Sequence, residues 1–580
     1  MTNILQYFYF FASINWINKH EDKKMKKNLL MFLEEKTKEL DENTALGIRS
    51  KFGWSEMTYK GISLLAQRLG GYLLEKGVQK GDKVAILSES NPEWSAAFFS
   101  IVIAGGTIVP LDIKLTQYEL NSILSDCLPK ILLVSSAYFE TGLKMKEQIP
   151  SIEELILIDD KGSNKEYESI YTIKSEPRKK WVHRSLNQTA LIIYTSGTTG
   201  MPKGVQITYK NIMTQTESIS ECFPLTQNDR LLSILPMNHL FELSVGYLTF
   251  LSLGTSIYYS KSLKPNDLFD IIQHKRITFM VVVPAFLKLL KTTLDATIKQ
   301  YGPIKRFLFE LKYRIAPFIP WYRVRRMLFQ TVQKNMGGKF RGFISGGAPL
   351  DVNIAKFFNT VGIEVFEGYG LSEASPVVSL NTKGHNKLGS VGRPIPGVEA
   401  RIDEETGELQ VKGPNIMKGY YKRDDLTADV ITEDGWLKTG DIAHIDNDGF
   451  IWITGRIKNM IVLSGGKKVF PEEVEAVMEK CPKFAELCVF GGKRKGGQKD
   501  GSEDVVIKIV PTQELLNTYQ NDADLEKEVI KEVKEFSKRL SNFKRPTSII
   551  VSREPLPRTA TKKVKRKEIK QEYDNKSIIK

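Results

Sequence analysis

From Lys83 onward the chain alternates short apolar runs, each the length of a buried strand, with longer runs of helical texture. The apolar runs are KVAIL (83–87), GTIVPL (106–111), KILLVSS (130–136), ELILID (154–159), TSIYY (255–259) and ITFMVVV (277–283). Their apolar residues are nearly continuous, as in strands covered on both faces. Such strands need helices above and below them, so the alternation predicts an α/β fold with buried sheets. From Ala400 the texture changes. ELQVKG (408–413) and FIWITG (450–455) sit among the turn signals EDG (433–435) and NDG (447–449), and predict a small antiparallel subdomain over 400–456. After Arg456, a last segment has its own strand and helix pattern and the size of a small domain. The expected organisation is an extension at 1–27, a large domain at 28–457 and a C-terminal domain at 458–580.

At 580 residues, 41% apolar and 10% aromatic, the chain can bury more than one core. Its four cysteines, Cys127, Cys222, Cys481 and Cys488, are scattered and form no CxxC or Cys/His cluster. A disulfide framework and a zinc site are therefore not expected, and a reducing cytoplasm is. The net charge of +15 suits attraction to nucleotides, coenzyme A or a membrane surface; a Lys-, Ile- and Asn-rich codon usage would leave the same excess. With no arginine–aromatic module or zinc finger, nucleic acid is not an expected partner. Ile4–Ile17 is uncharged and aromatic, yet too short to span a bilayer. It reads either as an interfacial anchor or as an artefact of start-site choice, because Met25 opens an ordinary amphipathic helix (MKKNLLMFLEEKTKEL).

Residues 194–205 read YTSGTTGMPKGV and follow an apolar run at 190–194. Glycines let backbone N–H groups approach an anion, the hydroxyls donate hydrogen bonds, and Lys203 adds a mobile charge. Thr195, Ser196, Gly197, Thr198, Thr199, Gly200 and Lys203 are thus candidate phosphate ligands. The spacing is not that of a Walker A loop, since Pro202 stands where its second glycine belongs. Further motifs follow. LPMNHLFE (235–242) holds His239 and Phe241. ISGGAPL (344–350) offers Gly346, Gly347 and Ala348 as a turn against which a flat ring can lie. EGYGLSEAS (367–375) supplies Glu367, Gly368, Tyr369 as a stacking surface, Gly370, Ser372 as a phosphate donor and Glu373 as a hard oxygen ligand. WLKTGD (436–441) ends in Asp441, an acceptor for ribose hydroxyls. FIWITG and GRIKNM add Ile453 and Arg456, and PRTATKKVKR (557–566) a lysine-rich tail.

Taken in order over most of the chain from about residue 28, these motifs resemble the adenylate-forming superfamily of acyl-CoA synthetases, adenylation domains and luciferases. The resemblance implies a large N-terminal domain of two layered α/β sheets with a small β-barrel-like subdomain, and a small mobile α+β C-terminal domain. It implies that a carboxylate attacks ATP to give acyl-AMP and pyrophosphate, and that a thiol then displaces AMP. ATP, Mg²⁺ and coenzyme A are the implied cofactors and co-substrates. Lys203, His239, Glu373 and Lys563 take the catalytic positions, with Glu373 and Thr195 at the metal. Lys563 matches the family's C-terminal lysine, although the family usually has Gly-Lys and this chain has Lys562-Lys563. Val564 and Arg566 fix that register, and Lys562 is the rival. Lys458 falls at the family's hinge. Ser464, Gly465 and Gly466 would face a pantetheine arm after the swing, or form a plain turn before a helix starting near Pro471.

The stretch between Ala285 and Gly342 is longer than in short-chain and amino-acid-activating relatives, and looks like the long-chain fatty acid branch. Within it, residues 301–341 hold ten Lys/Arg against the single acid Glu310. Leu308, Leu311, Ile315 and Phe318 recur at helical spacing. That suits either an interfacial helix on anionic lipid or a hairpin packed on the body with a solvated basic rim. The expected activity is long-chain fatty acid–CoA ligation in the cytoplasm, peripheral on the inner face of the membrane. Acyl carrier protein is the alternative acceptor. His239, Phe241 and the residues near Gly346 are candidates for the acyl tunnel.

Overall fold

The computed structural model describes residues 29–50, 53–195, 202–223, 225–463, 467–493, 503–558 and 564–578. Outside the described residues lie the N-terminal extension, the loop residues Ser196, Gly197, Thr198, Thr199 and Gly200, the candidate pantetheine residues Ser464, Gly465 and Gly466, and both Lys562 and Lys563. Contacts divide the chain into two units. The first runs to Ala400 and adds Val411–Leu437 and Gly449–Ile451; the second is Arg401–Gln410, Lys438–Asp448 and Trp452–Lys580.

The first unit has two sheets of the expected kind. One orders its strands Gly419–Tyr420, Lys203–Thr208, Thr189–Thr195, Thr107–Pro110, Lys83–Leu87, Ile131–Val134 and Glu154–Leu157. Its last five strands pair in parallel, and every residue of Thr107–Pro110 and Ile131–Val134 is buried. That is why these runs read as unbroken apolar stretches. The second sheet has nine strands among the described residues. Its parallel centre contains Arg230–Ser233, Phe279–Val282, Gly342–Ser345 and Glu364–Gly370. Helix Pro92–Ala104 is buried along its whole length, with Trp94, Phe98 and Phe99 packed on Tyr247. A helix buried on every side has no face for water, and each large apolar side chain so buried contributes roughly 1.5–3 kcal/mol. The Asn91 side chain caps its first turn by accepting from the Trp94 N–H, and Gly105 ends it in the left-handed conformation.

The second unit includes most of a four-stranded sheet formed by Glu399–Ile402, Glu408–Lys412, Leu437–Ile445 and Ile451–Arg456. It also has a three-stranded sheet of Phe484–Lys493, Glu503–Pro511 and Ser548–Val551, whose two faces carry separate cores. Leu525, Val529 and Val533 recur on one face of helix Asp522–Ser537 and pack with Val489, Ile507 and Ile509. Ile569 and Tyr573 of helix Arg566–Ile578 cover Phe490 and Val506 on the other face. Arg566 pairs with Glu472 at 3.1 Å and with Glu475 at 2.7 Å on helix Pro471–Met478.

Candidate active site

Strands Thr189–Thr195 and Lys203–Thr208 pair antiparallel, with Thr195 opposite Lys203, so the glycine loop connects their ends. The far edge of Lys203–Thr208 pairs with Gly419–Tyr420, Tyr420 opposite Val205. This sets the Lys203 ammonium 5.3 Å from the centre of the Tyr420 ring, a cation–π distance. The Tyr420 hydroxyl donates to Glu373 Oε1 at 2.8 Å, and the Met417 N–H donates to the Glu373 carbonyl at 2.8 Å. Burial and the neighbouring Glu373 carboxylate both hold the Tyr420 phenol neutral. Lys203 and Glu373, far apart in sequence, are therefore brought to one aromatic ring. One Glu373 carboxylate oxygen is held by Tyr420; the other makes no hydrogen bond to a described residue. A half-buried carboxylate with one oxygen unused by the described residues fits Mg²⁺, which takes one or two carboxylates and fills its shell with water and phosphate oxygens. Thr195, half-buried at the strand end, offers a hydroxyl beside that loop.

The parallel strands Gly342–Ser345 and Glu364–Gly370 pair with Ser345 opposite Glu367. At their carboxyl ends the chain emerges from the core: Gly347 and Ala348 are exposed, Gly368 and Tyr369 half-buried, Gly370 exposed. Carboxyl ends of strands in open α/β sheets are where ligands bind. A Cβ at Gly346 would stand 2.9 Å from the Phe241 ring and force the ring to shift, and Gly347 has φ +82°. The Phe241 ring thus lies against the turn expected to hold a flat ring. Glu367 Oε1 accepts from the Leu350 N–H at 3.2 Å, and burial pushes its carboxyl up to about 7. Ser372 and Glu373 form a single 3-10 turn, so they stay adjacent.

His239 lies on the segment after strand Arg230–Ser233, its Nε2 3.7 Å from Asp112 Oδ2. Asp112 follows Thr107–Pro110 of the other sheet, so the histidine stands where strand ends of both sheets converge. Two residues on from Leu240, Glu242 sits fully buried in a π-helix, Phe241–Thr249. Its Oε1 accepts from the Ser233 hydroxyl at 2.6 Å, and Oε2 has no partner among the described residues. Burial pushes this carboxyl up to about 8, against the Ser233 hydrogen bond, from its ordinary 4.5. The folded state thus holds a proton that the unfolded chain releases. Its contribution is complete below about pH 4.5 and is lost as pH rises to about 8. Glu242→Gln is expected to flatten the decline in stability across that window, read by urea unfolding at several pH values. An unchanged slope would mean that the group does not carry the proton.

In the second unit the Asp441 carboxylate is buried, and Arg456 Nε meets its Oδ1 at 2.7 Å. The Gly440 N–H is fixed by Glu408 and the Asp441 N–H by the Thr439 hydroxyl, which aims the carboxylate. Ile453 is half-buried on the strand that ends in Arg456, and Lys458 lies in the 3-10 turn Ile457–Asn459 just beyond. The legs around 559–563 are held: Arg558 and Val564 form an antiparallel bridge, and the Lys565 N–H donates to the Pro557 carbonyl at 2.8 Å.

Tyr420 and Glu242 were not found from sequence. Tyr420 lies in a two-residue strand, with no periodicity to mark it; its only signal is the doubled tyrosine of MKGYYKRDD (417–425). Glu242 is a charged letter in an apolar run, and that oddity was its signal.

A family model described as AMP-binding enzyme matches residues 33–421, and one described as AMP-binding enzyme C-terminal domain matches 458–578. The chain is 30% identical over 464 residues to the long-chain-fatty-acid–CoA ligase FadD15 of Mycobacterium bovis, covering 76% of each. ATP-bound MatB from Rhodopseudomonas palustris superposes with a TM-score of 0.76 at 25% identity, over 95% of this chain and 100% of that one. The o-succinylbenzoate CoA synthetase MenE from Bacillus subtilis, in complex with its acyl-adenylate intermediate OSB-AMP, gives 0.73 at 26% identity, over 93% and 97%.

Proposed function

Because the chain belongs to the AMP-binding enzyme family and is an adenylate-forming acid–CoA ligase, we propose that the acid it activates is a long-chain fatty acid. The observation that carries this is the match over 76% of a relative named for that substrate class. The long segment between Ala285 and Gly342 supports the same reading.

In the first step a carboxylate oxygen bonds to the α-phosphorus of ATP, the bond to the β-phosphate bridge breaks, and pyrophosphate leaves. In the second a thiol sulfur attacks the acyl carbon, the mixed-anhydride C–O bond breaks, and AMP leaves as the thiol proton is lost. Charge gathering on the α-phosphate must be neutralised in the first step. We assign the β- and γ-phosphates to Thr195, the loop 196–200 and Lys203. Tyr420 steers Glu373, which with Thr195 would hold Mg²⁺; the ion supplies charge neutralisation at the phosphoryl oxygens. The adenine would lie between Tyr369 and the turn Gly346–Ala348, with Glu367, Gly368, Gly370 and Ser372 along its edge. Asp441 would accept the ribose hydroxyls, held by Arg456, with Ile453 beside it. His239 borders the path of the acid. Lys563 would bridge carboxylate and α-phosphate. Lys458 is the proposed hinge between domains 28–457 and 458–580, and Ser464, Gly465 and Gly466 the proposed lining for pantetheine.

Fatty-acid-dependent ATP–pyrophosphate exchange tests the reading: palmitate should stimulate it, and a lack of exchange with every acid tried would point to a nucleotide-binding protein without catalysis. Comparing coenzyme A with acyl carrier protein as acceptor decides between the two thiols, with coenzyme A expected to be preferred. Lys458→Pro should slow thioester formation at least tenfold more than adenylation, because a rotation between half-reactions uses that backbone. Equal loss of both steps would remove the hinge.

A further inference from the structure

We propose that the face formed by helix Pro303–Ile315 and the segment that follows it to Leu328 docks on an anionic lipid bilayer. The helix has two apolar faces. Phe309 and Tyr313 point inward, with Phe309 packed on Phe329 and Tyr313 on Phe357. Ile304, Phe307, Leu308, Leu311 and Ile315 are all exposed. At 3.6 residues per turn these five fall within a stripe about 100° wide, pointing away from the packed pair. Beyond the helix the exposure deepens, to 85% at Phe318, 70% at Trp321 and 73% at Met327. Large apolar side chains left in water at this density mark a surface that is covered in use.

The charges choose the partner. Lys305 and Lys312 flank one side of the stripe and Arg314 the other, with Arg323 beside Trp321. All four are exposed, and none has a hydrogen bond or ion pair to another described residue. Glu310, the only acid in 301–341, is already paired with Arg306 at 3.0 Å. An apolar stripe edged by free cations, with tryptophan and phenylalanine at its end, matches an interfacial helix on anionic headgroups. A second copy of the chain fits poorly, because a two-fold contact would set these cations against one another. Not every basic residue of the segment belongs to this surface. Arg326 is half-buried and donates to the Phe340 carbonyl, and Arg325 donates to the Asn359 carbonyl at 3.3 Å, so both hold the segment in place. Among the described residues no helix is long and apolar enough to cross a membrane.

The test is co-sedimentation of the full chain with phosphatidylcholine vesicles, with and without phosphatidylglycerol, at low and high salt and with no substrate present. Binding should need phosphatidylglycerol and weaken as salt rises. K305E/K312E/R314E/R323E should lower the partition coefficient at least ~100-fold, since each lost cation is worth roughly a fivefold change. F307S/F318S/W321S, which leaves the charges, should lower it at least tenfold. Exchange with a short, soluble acid, or thermal unfolding if no such acid is accepted, confirms that both variants fold. The idea is overturned by equal binding to neutral vesicles or by no binding. It is equally overturned by binding that survives both variants but is lost on deleting residues 1–24, or by a dimer in light scattering that F307S/F318S/W321S dissociates. The readout is lipid binding alone, so failure of the long-chain reading would leave this result standing.

Discussion

Lys563→Ala is expected to cut acid-dependent ATP–pyrophosphate exchange roughly a hundred- to a thousandfold, the usual cost of removing one preorganised group from a site of developing charge. The same variant should convert preformed acyl-AMP and coenzyme A to thioester at close to the normal rate. The split follows from the chemistry. Two anions meet only in the first step, and the second attacks an anhydride already made. The legs of this loop are well held. Arg558 pairs with Val564, and Arg566 is anchored on Glu472 and Glu475, so a substitution between them should leave the domain folded. Lys562→Ala is the control and should lose little. If Lys562→Ala shows the split and Lys563→Ala does not, the register is off by one; if both half-reactions fall together in Lys563→Ala, the lysine does not act in adenylation.

Glu373→Gln should be nearly as severe. It keeps the size of the side chain and an oxygen to accept from Tyr420, and removes only the charge. A fall in exchange of about a hundredfold is expected, with half-saturation moved to higher Mg²⁺. Tyr420→Phe leaves the charge and removes the hydroxyl that aims it, so it should cost about tenfold, in the range seen when an outer partner of a metal ligand is lost. A Glu373→Gln enzyme with normal rate and normal Mg²⁺ dependence would remove Glu373 from the proposed metal site.

Most of the architecture was legible because buried parallel strands leave a plain mark. KVAIL, TSIYY and ELILID became strands within a residue or two of the apolar runs, since every strand position after the polar first one is buried and apolar. The long-range partners were not legible. Tyr420 meets Lys203 only because a two-residue strand closes the edge of a sheet more than 200 positions away in the chain. Nothing local specifies such a pairing. Helix Pro303–Ile315 shows a different limit. Its sequence gives helical spacing of apolar residues, but two apolar faces cannot be ranked by spacing. Packing decided that Phe309 and Tyr313 go in while Leu308, Leu311 and Ile315 stay out. Likewise Arg323, Arg325 and Arg326 look alike as letters, and only the fold separates a free cation from two that hold backbone carbonyls.

Substrate choice is measured most directly by kcat/KM for AMP formation with coenzyme A across saturated acids from acetate to stearate, with malonate and o-succinylbenzoate alongside. Acids near palmitate are expected to exceed acetate and both dicarboxylates by at least about a thousandfold, more than the ~10–200-fold that one methylene contact supplies and so the mark of a site built for a chain. A maximum at acetate, malonate or o-succinylbenzoate, with palmitate inert, would contradict the long-chain reading.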